Sequence, residues 1–424
     1  MTSQPDLTRI TVWFTAIAAA LGTAAIYPLQ PAVSDVAAGL DVSIAQVGVA
    51  LACGPVGYLL GLATLVPLVD RFPPKYVLAA QFAALAVALT ANAAAGALWI
   101  LGIAVGAIGA CSTVGAQLSS ITARFVPDGR RATALGIVTA GISAGIIGGR
   151  IAGGWLTEVS GWRGALLVFA LAAAITALVA LRTLPDAAGS ATGGYLATLR
   201  GLPGLYVHFP ALRIAAGRGA LWFFAFCAMW AGIAVALAQP PFSYSAERIG
   251  LYALAGLLGI VATRIAGVWT DRVGARRVMM FGLAIATLGA ATLGACLSNA
   301  AVTLICLAVF DAGLFAAQVA NQSTVLAIDP AAPARFNSAY MVVYFVGGSL
   351  GTAFGAAAVG WFGWPATAAV TAAAIAFAML LTARSADAAA RAERQVGVHP
   401  LPTTTTTTQL TTYGASSCCP QGEP

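Results

Sequence analysis

Charge is what this sequence has least of. Asp, Glu, Lys and Arg together make up 8% of its 424 residues, against about 25% in a soluble domain. A water-soluble fold needs a polar skin, and surface area does not shrink fast enough with size for so few charges to supply one. Histidine is almost missing. His208 and His399 are the only two, and no His, Cys, Asp or Glu cluster has metal-ligand spacing, so no metal centre is expected. No nucleophile–base pair occurs, and no phosphate-binding loop follows a strand. The chain therefore reads as a non-enzyme without a cofactor, and ATP-driven work would need a partner. The net charge is +7, but the basic residues are scattered through short loops and form no single face, which argues against nucleic acid. Of the seven cysteines, Cys53, Cys111, Cys227, Cys296 and Cys306 lie inside apolar runs, where Cys behaves as a small apolar residue. Cys418 and Cys419 adjoin in the tail, and nothing requires an oxidising compartment.

What is present is apolar. Hydrophobic residues make up 60% of the chain, and the mean hydropathy is +0.88. In lipid every backbone polar group must be satisfied within the protein, so the choice is helices or a closed barrel. Barrel strands alternate apolar and polar residues. Here the apolar runs are continuous and about twenty residues long, the length of a spanning helix. The runs predict twelve transmembrane helices near 10–34, 43–67, 76–93, 97–121, 132–156, 163–181, 214–239, 250–269, 277–296, 300–326, 337–359 and 364–382. The first is too long for a cleaved signal peptide and lacks a cleavage site.

Basic residues orient the helices, because they concentrate in cytoplasmic loops. With the N-terminus inside, 16 of the 21 Lys and Arg residues are cytoplasmic, Arg163 and Arg248 are outside, and Arg150, Arg218 and Arg264 lie within or at the edge of helices. Both termini are then cytoplasmic. Lys75 is the single lysine; this Arg bias, with the high Ala and Gly content, points to a GC-rich bacterial genome and so to a bacterial cytoplasmic (inner) membrane. The longest connection divides the chain into a six-helix bundle at 1–181, a cytoplasmic loop at 182–213 with an interfacial helix at 195–210, a second six-helix bundle at 214–383, and a disordered tail at 384–424. The tail holds the run Thr403–Thr408 and cannot bury a core.

Internal symmetry follows. Gly154-Trp155-Leu156-Thr157-Glu158 and Gly267-Val268-Trp269-Thr270-Asp271 share a pattern that continues to Gly161 and Arg163, and to Gly274 and Arg276. Each is preceded by Arg-Ile-Ala, at Arg150 and Arg264. The first leaves the membrane outside and the second inside, as in inverted-topology repeats. A carboxylate at such a helix end can be held by neighbouring guanidinium groups or by a facing helix N-terminus, making a latch.

Gly267-x-x-x-Asp271-Arg272-x-Gly274-x-Arg276-Arg277 resembles the loop signature of the major facilitator superfamily. In the first half the same place keeps Asp70-Arg71 but replaces both glycines. The run Gly136, Gly145, Gly149, Gly153 and Gly154 is similar to the glycine motif of drug:proton antiporters, with Arg150 where their Pro stands. Asn321-Gln322-Ser323, followed by Arg335, Asn337, Tyr340 and Tyr344, resembles a bacterial drug-efflux branch. The resemblance covers about residues 10–382. It implies an all-α membrane protein of two six-helix bundles, and a cytoplasmic latch of Asp70, Arg71, Arg264, Gly267, Asp271, Arg272, Gly274, Arg276 and Arg277. It also implies a substrate cavity lined from the first, fourth, seventh and tenth helices. On these and the eleventh, the polar and aromatic candidates are Tyr27, Gln30, Gln117, Phe226, Trp230, Gln318, Asn321, Gln322, Tyr340 and Tyr344. Many members carry an Arg in the fourth helix; residues 96–120 hold no charge, so that role does not transfer.

Ionisable groups at membrane depth are costly and point to function. Asp311, about twelve residues into the tenth helix, is a candidate to bind and release protons, with Arg150 as its switchable partner at similar depth. Asp35, near the outer end of the first helix, is a third candidate. These residues lead to the expectation of a monomeric secondary transporter that uses the proton gradient to export small hydrophobic drugs or metabolites by alternating access. An uptake symporter on the same fold is the nearest alternative, and a non-transporting membrane receptor or scaffold is the alternative of another class.

Overall fold

The computed structural model describes residues 7–187, 203–329 and 333–396. Among these residues all regular secondary structure is helical. In order the helices are α1 (Arg9–Ala24), α2 (Val33–Leu40), α3 (Ile44–Leu51), α4 (Cys53–Thr64), α5 (Pro74–Ala93), α6 (Leu98–Cys111), α7 (Val114–Phe125), α8 (Asp128–Thr183), α9 (Pro210–Ala238), α10 (Ala246–Leu251), α11 (Gly256–Val273), α12 (Ala275–Cys296), α13 (Ala300–Leu326) and α14 (Pro333–Val396). Side chains cap several starts: Thr8 accepts from the Thr11 N–H, Ser43 and Gln46 form a reciprocal capping box, and Asn299 accepts from Ala301 and Val302.

Nine helical segments among the described residues are long and apolar enough to cross a membrane, and a shorter apolar helix, Arg9–Ala24, adds to them. Two of the nine are too long for one crossing, and each is broken by a glycine in a left-handed conformation. Gly161 (φ 73°) divides α8, and Gly363 (φ 81°) divides α14. Each is followed by a buried tryptophan, Trp162 and Trp364, so one turn chemistry closes the corresponding hairpin in both halves of the chain. Large apolar side chains point outward along the bundle, with Trp13 60%, Ile17 66%, Trp99 68% and Leu288 68% exposed. A surface of that kind is matched to lipid tails.

Glycine rows set the closest packing. Gly141, Gly145, Gly149 and Gly153 of α8 face Ala16, Ala20, Ala24 and Pro28 along α1; a Cβ on Gly145 would stand 2.2 Å from the Ala20 oxygen. Gly347, Gly351 and Gly355 of α14 face Ala220, Phe224 and Ala228 of α9 in the same way. The two helix pairs thus repeat across the halves, and backbones approach where side chains are absent. Of the run read from the sequence, Gly136 meets no neighbour within 4 Å, and Gly154 packs instead on Ala246 of α10.

Polar contacts sort the loops to two ends. At one end Leu7, Val69, Lys75, Arg124, Phe125, Pro185 and Ala187 are joined by hydrogen bonds, with an ion pair between Lys75 and Asp186. At the other, Arg163 donates to Ala95 at 2.8 Å. The halves meet toward this second end: Gly154 lies against Ala246, Gly250 against the Arg150 backbone, and Gly48 against Ala356.

The chain separates into two compact units between Ala383 and Arg384, and residues 384–396 of the expected tail are helical, as the strong helix formers of that Ala-rich sequence favour. The Thr-rich, Cys-Cys remainder lies outside the described residues. So does the first half of the interfacial helix expected at 195–210, of which residues 203–208 are helical.

Candidate functional site

Where the closed end gives way to the middle of the bundle, a cavity of about 250 Å³ opens between the halves. From the first half it is lined by Tyr27, Gln30, Tyr58 and Arg150, and from the second by Phe223, Phe226, Trp230, Phe315, Tyr344 and Phe345, with small apolar residues between. The aromatic rings form a continuous wall. Phe223 stacks on Tyr344 at 3.9 Å between centroids, Phe345 meets Tyr58 at 4.9 Å, and Phe226 meets Phe315 edge-on at 5.6 Å. Such a wall suits a flat or compact apolar body.

Arg150 is the polar centre. The helix row that packs α8 on α1 carries its side chain to the cavity, where it is 5% exposed. Its Nε donates to Gln30 Oε1 at 2.6 Å and its Nη1 to the Ile146 carbonyl at 3.3 Å. Two aromatic faces flank the guanidinium, Tyr27 at 4.3 Å and Trp230 at 4.6 Å from ring centroid to Cζ. Each face attracts the cation, by up to about 2 kcal/mol where water is excluded.

Asp311 is 1% exposed and stands outside the main cavity. It lines a chamber of about 50 Å³ with Ser143, Ile147, Thr263 and Phe315, and Arg150 and Trp230 form the wall shared with the cavity. Trp230 Nε1 donates to Asp311 Oδ1 at 3.1 Å. Asp311 and Arg150 make no ion pair within 4.0 Å, so the direct pairing expected from sequence is absent. The carboxylate is satisfied by Trp230 Nε1, and the guanidinium is held by Gln30, the Ile146 carbonyl and two ring faces.

The remaining expected residues divide. Tyr27, Gln30, Phe226, Trp230 and Tyr344 line the cavity. Gln318, Asn321, Gln322 and Tyr340 do not; they hold helices together. Tyr340 donates to Gln318 Oε1 at 2.8 Å, Asn321 donates to the Ala215 carbonyl at 2.9 Å, and Gln322 donates to Asn337 at 2.9 Å. Gln117 likewise donates to the Leu65 carbonyl, where α4 gives way to a tighter turn. Polar residues in mid-helix are costly to leave unpaired, and each of these has found a backbone or amide partner rather than a cavity. Asp35 is exposed in the first turn of α2, accepting from Ser34. Asp70 and Asp271 are exposed and make no ion pair among the described residues. Gly274, at φ 89°, turns the chain from α11 into α12, Gly267 has no neighbour within 4 Å, and Arg264, Arg272, Arg276 and Arg277 are exposed. Arg71 adjoins Asp70 at the end of its turn. Polar and aromatic cavity residues missed by the sequence are Thr23, Tyr58, Phe223, Cys227, Phe315, Phe345 and Thr352. Their only sequence signal is aromatic or polar character on helices that also face lipid.

Comparison with known proteins gives one consistent result. The family model described as Major Facilitator Superfamily matches residues 12–241 and 219–410. The Escherichia coli O157:H7 protein named "Uncharacterized transporter YgaY" is 30% identical over 361 residues, 85% of this chain and 91% of that one. Among solved structures, a bacterial homolog of the human lysosomal transporter Spinster, inward-facing and unoccupied, superposes with a TM-score of 0.73 at 14% identity, covering 88% of this chain and 95% of that one. The nucleoside transporter NupG gives 0.71 at 14% identity, covering 88% and 99%.

Proposed function

This chain belongs to the major facilitator superfamily, a multi-pass membrane transporter, and we propose that it is a proton-coupled exporter of small, largely apolar molecules. Twelve crossings are supported by the nine long segments, the two further helices made by the breaks at Gly161 and Gly363, and Arg9–Ala24. The loop charges support an orientation with both termini and the Lys75 end in the cytoplasm of a bacterial cell, and in that orientation the described form is closed toward the outside. The protein works as a monomer on the proton gradient alone.

One observation carries the reading: a carboxyl group buried at mid-bundle, Asp311, holds by hydrogen bond the indole that covers the cavity's cation. A hydrogen bond to an ionised acceptor is worth about 1.5–3 kcal/mol, more than one to a neutral acceptor. Ionised Asp311 therefore fixes Trp230 over Arg150 and keeps the cavity in its ligand-ready shape. Protonation weakens that hold and frees Trp230 to enter the cavity. Proton and ligand then exclude each other, which is the condition for exchange. Rocking of the halves about the glycine contacts at the outer end completes the cycle.

A second reading, uptake together with a proton, is favoured by a different observation, the positive charge of Arg150 on the cavity wall. Neutralising Asp311 removes the opposing charge, so a proton would strengthen the binding of an anion and travel with it. Inside-out vesicles carrying an imposed acid interior separate the two. Exchange predicts that added ligand releases protons from the lumen and dequenches a pH-sensitive dye. Co-transport predicts deeper quenching.

A further inference from the structure

The central cavity carries one formal charge, and it is positive. No Asp or Glu is among its described lining residues, and Arg150 is its one Arg or Lys. Asp311 belongs to the neighbouring chamber, behind Trp230. A buried guanidinium is normally matched by a carboxylate, yet Arg150 makes no ion pair among the described residues. Its Nε and one N–H of Nη1 are used by Gln30 and Ile146, and Nη2 has no hydrogen-bond partner there. Two aromatic faces and one amide hold the group in place on the cavity wall. A group held so rigidly, with donor capacity unspent and a cavity in front of it, is built to receive an acceptor.

We propose that the transported ligand is a compact amphipathic organic anion whose acidic group docks on Nη2 of Arg150 while its apolar body lies against Tyr58, Phe223, Tyr344 and Phe345. The volume of about 250 Å³ sits below the roughly 300–1,000 Å³ of drug-sized pockets, so the body is small. Organic cations are disfavoured, because they would meet a fixed positive charge and no carboxylate. A neutral amide can accept one hydrogen bond from Nη2 but brings no charge. The inference rests on the transporter reading and holds for either direction of transport.

The test uses the full chain in detergent micelles. Thermal unfolding and calorimetric titration are run with matched carboxylic acid, carboxamide and primary amine on several aromatic scaffolds, from phenyl to naphthyl and biphenyl. The expected result is stabilisation by acids, with an acid bound about tenfold or more tighter than its amide, the effect of a charge-assisted bond over a neutral one, and amines without effect. Arg150→Gln erases the difference between acid and amide, and Arg150→Lys retains part of it. Equal binding of amide or amine in the wild type overturns the proposal, as does an acid preference that survives Arg150→Gln, or the failure of acids on every scaffold. The wild-type series stands by itself should Arg150→Gln not fold. Binding in micelles needs no gradient, so a lost acid preference leaves proton-driven transport untouched, and a failed transport assay leaves the binding result untouched.

Discussion

Arg150 and Asp311, two of the three buried charged side chains among the described residues, form no ion pair; the indole of Trp230 touches both, lying over the guanidinium with its face and donating to the carboxylate through Nε1. The ring therefore couples the pair mechanically, beside the direct charge–charge attraction across the chamber that both line. Trp230→Phe keeps a face for Arg150 and removes the donor for Asp311. With no bond to Asp311 the ring is free to enter the cavity as it is on protonation, so ligand affinity is expected to fall severalfold and to lose its pH dependence, although part of the cation–π attraction is kept. Protonophore-sensitive transport is expected to collapse. The check is affinity by titration beside transport in energised and de-energised cells.

Packing of α1 on α8 makes a sharper structural prediction. Gly145→Val puts carbon into the Ala20 backbone and is expected to cost about 2 kcal/mol or more, by overpacking. Gly136→Ala meets nothing and is expected to be neutral or slightly stabilising. Thermal unfolding of purified variants reads both. Gly141→Val, at a position the sequence motif does not single out, is expected to behave like Gly145→Val.

Much of this was legible in the sequence and some was not, for identifiable reasons. Continuous apolar runs announce membrane helices because lipid leaves no alternative, and Asp311 and Arg150 announce themselves because charge at that depth is expensive. Gly149, Gly145 and Gly153 were legible as packing residues through their spacing of four. Gly136 fits the written motif but stands five residues from Gly141, off the four-residue row that faces α1. The failure at Gln318, Asn321, Gln322 and Tyr340 has another cause. A polar residue in a membrane helix must find a partner, and composition does not say whether that partner is a ligand or a neighbouring backbone carbonyl. Tyr58 and Phe345 were missed because an aromatic on a membrane helix serves lipid, packing or cavity equally well until the helix is rotated into place.

Tyr340→Phe tests that reassignment. It removes the hydroxyl that donates to Gln318 and accepts from Asn321. Hydrogen bonds between membrane helices are worth about 0.6 kcal/mol on average and up to about 1.7. A loss of stability of that order is expected, with ligand affinity unchanged. A large affinity loss without a stability loss would return Tyr340 to the binding site.

Closure at the end opposite Lys75 depends on Gly250 lying against the Arg150 backbone. Gly250→Leu is expected to hold the halves apart there. Spin labels on Ala38→Cys and Glu247→Cys, both exposed at that end, are expected to report longer distances than in the otherwise wild-type protein, and transport is expected to fall severalfold at matched expression.

Proton-driven export through Asp311 is tested most directly by accumulation in an efflux-deficient bacterial host. Cells expressing the wild type, Asp311→Asn or no transporter are loaded with a panel of dyes, drugs and aromatic acids, with and without a protonophore. The wild type is expected to lower accumulation of at least one compound, and protonophore and Asp311→Asn are each expected to abolish the effect at matched expression. Normal export by Asp311→Asn would rule out a proton-coupling role and leave Asp311 a structural anchor for Trp230.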